Sequence, residues 1–253
     1  MHSSERVTAA VLVIGDEILS GRTQDTNLNF IAKFIAVYGV DLAEARIVPD
    51  VTAEIVAALN ALRARYDYVI TTGGIGPTHD DITADAVAEA FGLQLYEHPK
   101  IIEVMAQRWK GAELTAARRR MARVPQGASL VWNTVHGPPG FQIENVFVLA
   151  GVPAVMRGMM EQVGPRLRTG RPVISRTVRV DGIGEGVIAE PLAVVAKAHP
   201  DLSLGSYPFF GDEGYGSNLV VRGRDAGAVE TVVEELIGAL EGIGAKSIER
   251  VEA

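Results

Sequence analysis

The chain has 253 residues, 47% of them apolar and 22% charged, and no cysteine. This composition suits a globular protein with ample core, and it excludes disulfides, a thiolate nucleophile and any cysteine metal site, in keeping with a cytoplasmic protein. The net charge is −7, and residues 172–253 carry 7 Lys/Arg against 13 Asp/Glu, so no nucleic acid is expected as a partner.

The amino terminus lacks a basic stretch followed by an apolar run, and no segment approaches the ~18 apolar residues of a membrane span, so neither a leader nor a membrane segment is expected. Val7 to Ile14 reads as a strand that ends in Gly15-Asp16-Glu17. Leu28, Ile31, Ala32, Ile35 and Tyr38 keep helical spacing, with Gly39 as the stop. Val40 to Val48 is strand-like and is punctuated by Pro49-Asp50. Ile55, Ala58, Leu59 and Leu62 mark a second helix, Asp67 to Thr72 a third strand, and Ala84, Val87, Ala88 and Phe91 a third helix stopped by Gly92. Strand and helix alternating in this way predict a parallel sheet covered on both faces.

Further helices are expected over Pro99 to Gly111 and Leu114 to Arg123, the latter presenting Arg118-Arg119-Arg120 as a solvated face. Strands are expected over Ser129 to Trp132 and Val146 to Ala150, and a helix from Pro153 to about Arg168. Ile101, Ile102, Met105 and Trp109 form an apolar stripe that suits either core or an interface. After the polar boundary at residues 169–172 the order becomes β-α-β-β-α, so two domains are expected, residues 1–171 and 172–253.

Two loops carry the chemistry. GDEILSGRTQDTN (15–27) follows the first strand, and TTGGIGPTHDDIT (71–83) spans the end of the third and the turn after it. Ligands of open parallel sheets sit outside the carboxyl ends of the strands, so both loops fall at one edge. Gly73, Gly74 and Gly76 expose backbone N–H groups just before a helix, which favours a bound anion. Asp80 and Asp81 would repel that anion unless one caps the helix or a divalent cation intervenes, and Asp16 and Glu17 add charge from the first loop. Metal-assisted attack on a phosphorus centre is the expected chemistry, with Asp80 and Asp81 as catalytic and metal-binding residues. The substrate-binding set is Gly15, Asp16, Glu17, Ser20, Gly21 and Asn27, then Thr72, Gly73, Gly74, Gly76, Pro77 and Thr78, with Asn133 and Gly140 from a third turn, NTVHGPPGF. His79 reads as a surface residue and His98 as a helix start, and no histidine pair has zinc-site spacing. Neither GxGxxG nor GxxxxGK[ST] occurs, which disfavours a dinucleotide fold and a P-loop.

The four segments GDEILSGRTQDTN, TTGGIGPTHDDIT, NTVHGPPGF and LAGVPAVM, in that order over residues 7–168, resemble the amino-terminal part of the competence/damage-inducible protein A (CinA) family. They also resemble the matching domain of eukaryotic FAD synthases, within the MoaB/Mog molybdopterin-binding superfamily. The resemblance implies a three-layer α/β/α domain with a mainly parallel sheet, followed by a small α+β KH-like domain. It implies a homo-oligomer, dimer or trimer, and a nucleotide or pterin ligand. For the CinA branch it implies a pyrophosphatase acting on ADP-ribose or FAD with Mg²⁺, Mn²⁺ or Co²⁺. In this picture Gly73, Gly74 and Gly76 cradle the diphosphate, Asp80 or Asp81 holds the metal, and Asp16, Glu17 and Asn27 face them.

Gly73-Gly74-Ile75-Gly76 replaces the Gly-Gly-Thr-Gly of the molybdenum-cofactor enzymes, which favours the CinA branch over a molybdopterin-binding or adenylylating protein. A non-catalytic nucleotide-binding module is the third alternative. The nicotinamide-mononucleotide deamidase domain of longer CinA proteins is absent from the sequence, so that activity is expected, if anywhere, of a separate partner. Gly182-Ile183-Gly184-Glu185-Gly186 lacks the GxxG spacing of RNA-binding KH loops.

Overall fold

The structure, a computed structural model, describes residues 6–108, 114–135, 137–211 and 214–251. Strand β1 (Val7–Ile14) is almost wholly buried and forms the centre of a parallel array. It pairs in parallel with β2 (Val40–Val48) on one side and β3 (Tyr68–Thr72) on the other. Continuous apolar sequence is what a strand covered on both faces requires. Between these strands run the short helix α1 (Asp16–Leu19), α2 (Asn27–Val37) and α3 (Thr52–Arg65). Helix α4 (Thr83–Phe91) follows β3 and ends on Gly92 at φ 64, the left-handed stop expected there.

The chain then adds β4 (Leu95–Glu97), α5 (Pro99–Arg108), α6 (Ala116–Arg120) and β5 (Arg123–Pro125), and β4 and β5 form a small antiparallel ribbon. β6 (Ser129–Val131), β7 (Gly140–Ile143) and β8 (Val146–Leu149) complete the large sheet, whose order is β2-β1-β3-β8-β7-β6. β8 is parallel to β3, and β7 runs antiparallel to both its neighbours. Helix α7 (Pro153–Val163) opens with proline at its first turn and runs into a 3₁₀ turn, Gly164–Arg166.

Two apolar layers cover the sheet. One joins α3, α4 and α5 to one face through Ile55, Leu59, Leu62, Val87, Ile101 and Met105. The other joins α2 and α7 to the opposite face through Ile31, Ile35, Met156, Met159, Met160 and Val163. The helices that follow β1 and β3 thus leave on opposite faces, which opens a crevice between those two strand ends.

Several expectations are corrected. The helix expected to Arg123 stops at Arg120, because Arg123 begins β5 and forms a two-bond ion pair with Asp85 on α4, at 3.0 and 2.7 Å. Arg119 pairs with Glu97, and Arg120 turns inward, so the arginine run is not simply a solvated face. Ile101 and Met105 are core and Ile102 packs against it, whereas Trp109 lies outside the described residues.

The chain divides into two compact units, residues 1–171 and 172–253. The second contains β9 (Ile174–Asp181), α8 (Glu185–Ala198), β10 (Ser203–Gly211), β11 (Gly214–Gly223), α9 (Ala226–Gly242) and β12 (Ser247–Val251). Its antiparallel sheet has the order β10-β11-β9-β12 and is backed by a core that includes Val178, Ile188, Leu219, Val233 and Leu236. The observed order is therefore β-α-β-β-α-β, one strand longer than the expected pattern.

Among the described residues Phe147 is the largest fully buried side chain, and it sits in β8, beside the strand that carries the glycine loop. Phe147→Ala is expected to lower unfolding stability by about 3–5 kcal/mol, measured as a fall in the urea midpoint at unchanged slope.

Candidate functional site

Three strand ends meet at the carboxyl edge of the sheet. The loop after β1, the glycine loop after β3 and the turn after β8 together line a cavity of about 70 Å³, with Glu17, Asn27, Thr72, Gly73, Gly151 and Pro153 in its wall. Close approach makes this possible. A Cβ on Gly73, whose φ is 103, would strike the carbonyl oxygen of Ile14, and one on Gly151 would lie 3.2 Å from the Gly73 Cα. Only a glycine at 73 lets the chain leave β3 against the end of β1.

The loop is then closed on itself. Thr83, the first residue of α4, donates its backbone N–H to Gly74 O at 3.0 Å and its buried hydroxyl to Gly73 O at 2.9 Å. Asp81 accepts from Gly76 N and Thr78 N, both at 2.7 Å, and from the Thr78 hydroxyl. Its carboxylate occupies the inside of the turn, and a Cβ on Gly76 would meet it. Arg120 holds the same residue from behind, donating to Asp81 O at 3.1 Å.

Neither aspartate caps the helix. The cap position of α4 is Ile82, with no side-chain bond. Asp81 is itself the anion of the glycine loop, and Asp80 stays exposed beside it. Asp80 is 61% exposed, and hydrogen bonding from Thr78, then its own backbone, then the neighbouring His79 hold its carboxyl below the ordinary range. His79 is 97% exposed and makes no contact closer than 4.0 Å to Asp80. Lys100 N donates to His98 Nδ1 at 3.2 Å, in keeping with a residue at a helix start.

The acid is denser than the two loops alone suggest. Asp50, at the end of β2, accepts from Asp16 N at 2.9 Å. Its carboxyl is raised above the ordinary range by burial, opposed by the Asp16 bond, and further by repulsion from Asp16, Glu17 and Asp80. Four carboxylates therefore share one edge. In the sequence Asp50 stands only as turn punctuation, and its position after a neighbouring strand of the same sheet is the signal that places it here. Among the described residues no group of three or more His, Asp or Glu is placed to hold a metal by itself. The arrangement fits a cation such as Mg²⁺ that takes one or two carboxylates and completes its shell with water and ligand oxygens.

The remaining expected residues separate. Glu17, Asn27, Thr72 and Gly73 line the crevice, whereas Gly74 and Gly76 line a second small cavity with Asp81, Arg120 and Pro139; Gly15 and Asp16 follow directly on β1, Ser20 and Gly21 are exposed on the outer turn, and Pro77 and Thr78 are exposed on the glycine loop. Asn133 commits its amide to its own turn, donating to Pro138 O at 3.1 Å and accepting from Val135 N at 3.0 Å. Gly140 is buried in β7, where a Cβ would strike Val148 O, so its requirement is strand packing. The third wall of the cavity is the LAGVP turn at Gly151 and Pro153.

Comparison with known proteins agrees with this architecture. Residues 10–169 match the family model described as a probable molybdopterin binding domain, and residues 172–248 match the FAD synthase middle domain. A protein of Archaeoglobus fulgidus is 34% identical over 89% of this chain and 94% of its own length. A CinA-like protein of Gemmatimonas aurantiaca is 33% identical over 90% of the chain but 56% of its own, and a probable FAD synthase of Caenorhabditis elegans is 30% identical over 94% and 51%. The chain thus spans about half the length of these last two. The crystal structure of CinA from Thermoplasma acidophilum superimposes with a TM-score of 0.61 at 30% identity, covering 64% of this chain and 98% of that one. Among the described residues no helix is long and apolar enough to cross a membrane.

The raised Asp50 carboxyl fixes a pH dependence. A carboxyl raised on folding binds its proton more tightly in the folded state, so the penalty is absent in acid and grows as pH rises from the unfolded value through the folded one. Asp50→Asn, which keeps an acceptor for Asp16 N, is expected to raise the thermal midpoint at pH 7 without divalent cations. That gain should vanish below about pH 4, as followed by circular dichroism across pH.

Proposed function

We propose a function from one premise: the chain belongs to the family of probable molybdopterin binding domains, and its relatives include CinA-like proteins and FAD synthases. Within that family it acts as a metal-dependent pyrophosphatase that cleaves the diphosphate of a nucleotide such as ADP-ribose or FAD. The observation that carries this reading is the placement of Asp16, Glu17, Asp50 and Asp80 on the loops after β1, β2 and β3 at one sheet edge, beside a glycine loop, with Asp50 accepting from Asp16 N at 2.9 Å. Carboxylates this close repel one another and repel a phosphate, and a divalent cation between acid and phosphate removes both costs.

Asp81 holds the loop in shape through Gly76 and Thr78, and Arg120 supports Asp81 from outside the turn. The Gly74 and Ile75 amides, which have no partner among the described residues, face the ligand as donors. Asp80, ionised well below neutral pH, orients a water molecule and takes its proton. The water oxygen forms a bond to one phosphorus as the bridging P–O bond breaks, so ADP-ribose and water give AMP and ribose 5-phosphate. Asp80 and one of Asp16, Glu17 or Asp50 would hold a Mg²⁺, Mn²⁺ or Co²⁺ ion, which would supply positive charge against that developing on the phosphate oxygens.

A second reading, binding or adenylylation of a molybdopterin, draws on the description of the matched family. The two separate in one experiment, in which the protein is incubated with ADP-ribose, FAD and NADH with each metal and with EDTA. The pyrophosphatase reading expects metal-dependent AMP release. Asp80→Asn lowers it about a hundredfold or more, the scale of a lost general base, and Asp81→Ala lowers it by disordering the loop. Absence of cleavage together with tight molybdopterin binding establishes the second reading in its place.

A further inference from the structure

The small second unit leaves one sheet edge unfinished. β10 is the outer strand of the order β10-β11-β9-β12 and pairs with β11 alone. The opposite edge strand, β12, carries the exposed charges Glu249 and Arg250, which hinder pairing with another strand. β10, SLGSYPFFG, has nine residues and no charge. A long uncharged edge is a template for a further strand. Pro208 has no N–H and stands opposite Ser217, so its backbone faces the free edge. Alternate residues of a strand share that direction, which puts the N–H groups of Leu204, Ser206 and Phe210 on the free edge as well. Among the described residues none of the three bonds to another element.

The side chains of the same strand add a knob and a hole. Leu204 and Ser206 line a hollow of about 540 Å³ between β10 and α8. Its other walls come from α8 and are mainly apolar, as at Ile188, Leu192 and Ala193, with Glu185 the charged exception. A cavity of roughly 150 Å³ accepts a benzene ring, so the hollow has room for a phenyl side chain. The pairing of β10 with β11 is unbroken, so Phe210 lies on the same face of β10 as Leu204 and Ser206. Phe210 is 82% exposed. One strand thus presents an apolar hollow near its start and an exposed aromatic ring near its end. The two cannot meet within one copy, and a two-fold axis brings them together twice. A charged peptide finds no partner on β10, whereas a second β10 brings no charge of its own.

We propose that two copies of this chain associate through β10, antiparallel about a two-fold axis at Tyr207, so that their antiparallel sheets become one. In this register Leu204 stands opposite Phe210 of the second copy and Ser206 opposite its Pro208. The N–H groups of Leu204, Ser206 and Phe210 donate to the carbonyl oxygens of Phe210, Pro208 and Leu204 of the second copy. Each Phe210 enters the hollow of the other copy. Tyr207 meets its own equivalent at the axis, at the ~4.5 Å Cα spacing of a non-hydrogen-bonded pair. The interface is independent of the pyrophosphatase reading, which concerns residues 1–171.

The chain has no cysteine, so one introduced thiol reports its own neighbour. Tyr207→Cys places two thiols across the axis within disulfide reach, and Glu249→Cys on the opposite edge is the control. The full chain carrying either change is oxidised with diamide and followed on non-reducing gels. Tyr207→Cys is expected to form a covalent dimer about tenfold or more faster than Glu249→Cys. Phe210→Asp removes an exposed ring, so its circular-dichroism spectrum should match that of the unaltered chain. In sedimentation it should weaken self-association about tenfold or more, the scale of a lost aromatic anchor, and combined with Tyr207→Cys it should abolish the fast cross-link. Equal cross-linking at residues 207 and 249 overturns the interface, as does a fast cross-link that Phe210→Asp leaves intact. A chain that stays monomeric throughout the micromolar range overturns it too.

Discussion

The site depends on a single topological constraint: β1 and β3 are parallel neighbours whose following helices leave on opposite faces of the sheet. That divergence leaves a crevice which neither layer of helices can fill. The crevice is narrow because Gly73 has no side chain to hold the end of β3 away from Ile14. A larger residue at 73 would push the glycine loop away from the loop after β1, and the carboxylates on the two sides would no longer share one volume. The apolar core on both faces fixes the strands, and the strands fix where the charges meet.

The charges within that crevice have different roles. Asp81 is satisfied inside its own turn by two backbone N–H groups and a hydroxyl, so its function is geometric. Asp50 is strained in the electrostatic sense, raised by burial and by its acidic neighbours, and it accepts the Asp16 amide that begins α1. Asp80 is exposed and ionised. Satisfied, repelled and exposed carboxylates thus stand at one edge. A cation brought in by a phosphate ligand would meet Asp80 first, with Asp16, Glu17 and Asp50 behind it.

Much of this was legible in the sequence because periodicity and punctuation carry it. The strand and helix order of the first hundred residues, the glycine stops at Gly39 and Gly92 and the proline start of α7 follow from local spacing. The elements that escaped are short. β4, β5 and β7 have three or four residues each, too few for alternation to show, and β12 lies beyond a helix with no turn signal strong enough to announce it. At the site, residue types on the two loops were readable, but partners were not. Whether Asp81 caps a helix or clasps a turn depends on backbone angles over five residues, and Asp81 alone does not encode them. Asp50 reaches the site from the end of β2, and only the parallel register of β1 with β2 brings it there. Asn133 and Gly140 are committed to their own turn and strand, whereas Pro139 of the same turn lines a small cavity with Gly74, Gly76 and Asp81.

Under the proposed function the acidic edge and the glycine loop would hold metal and diphosphate jointly, each improving the site for the other. Coupling of this kind is reciprocal. The direct measurement is calorimetric titration with a non-hydrolysable methylene analogue of ADP-ribose, in saturating Mg²⁺ and again in EDTA. Binding is expected to be about tenfold or more tighter with the metal, with an equal gain in metal affinity when the analogue is bound first. Equal affinity with and without the metal would contradict it.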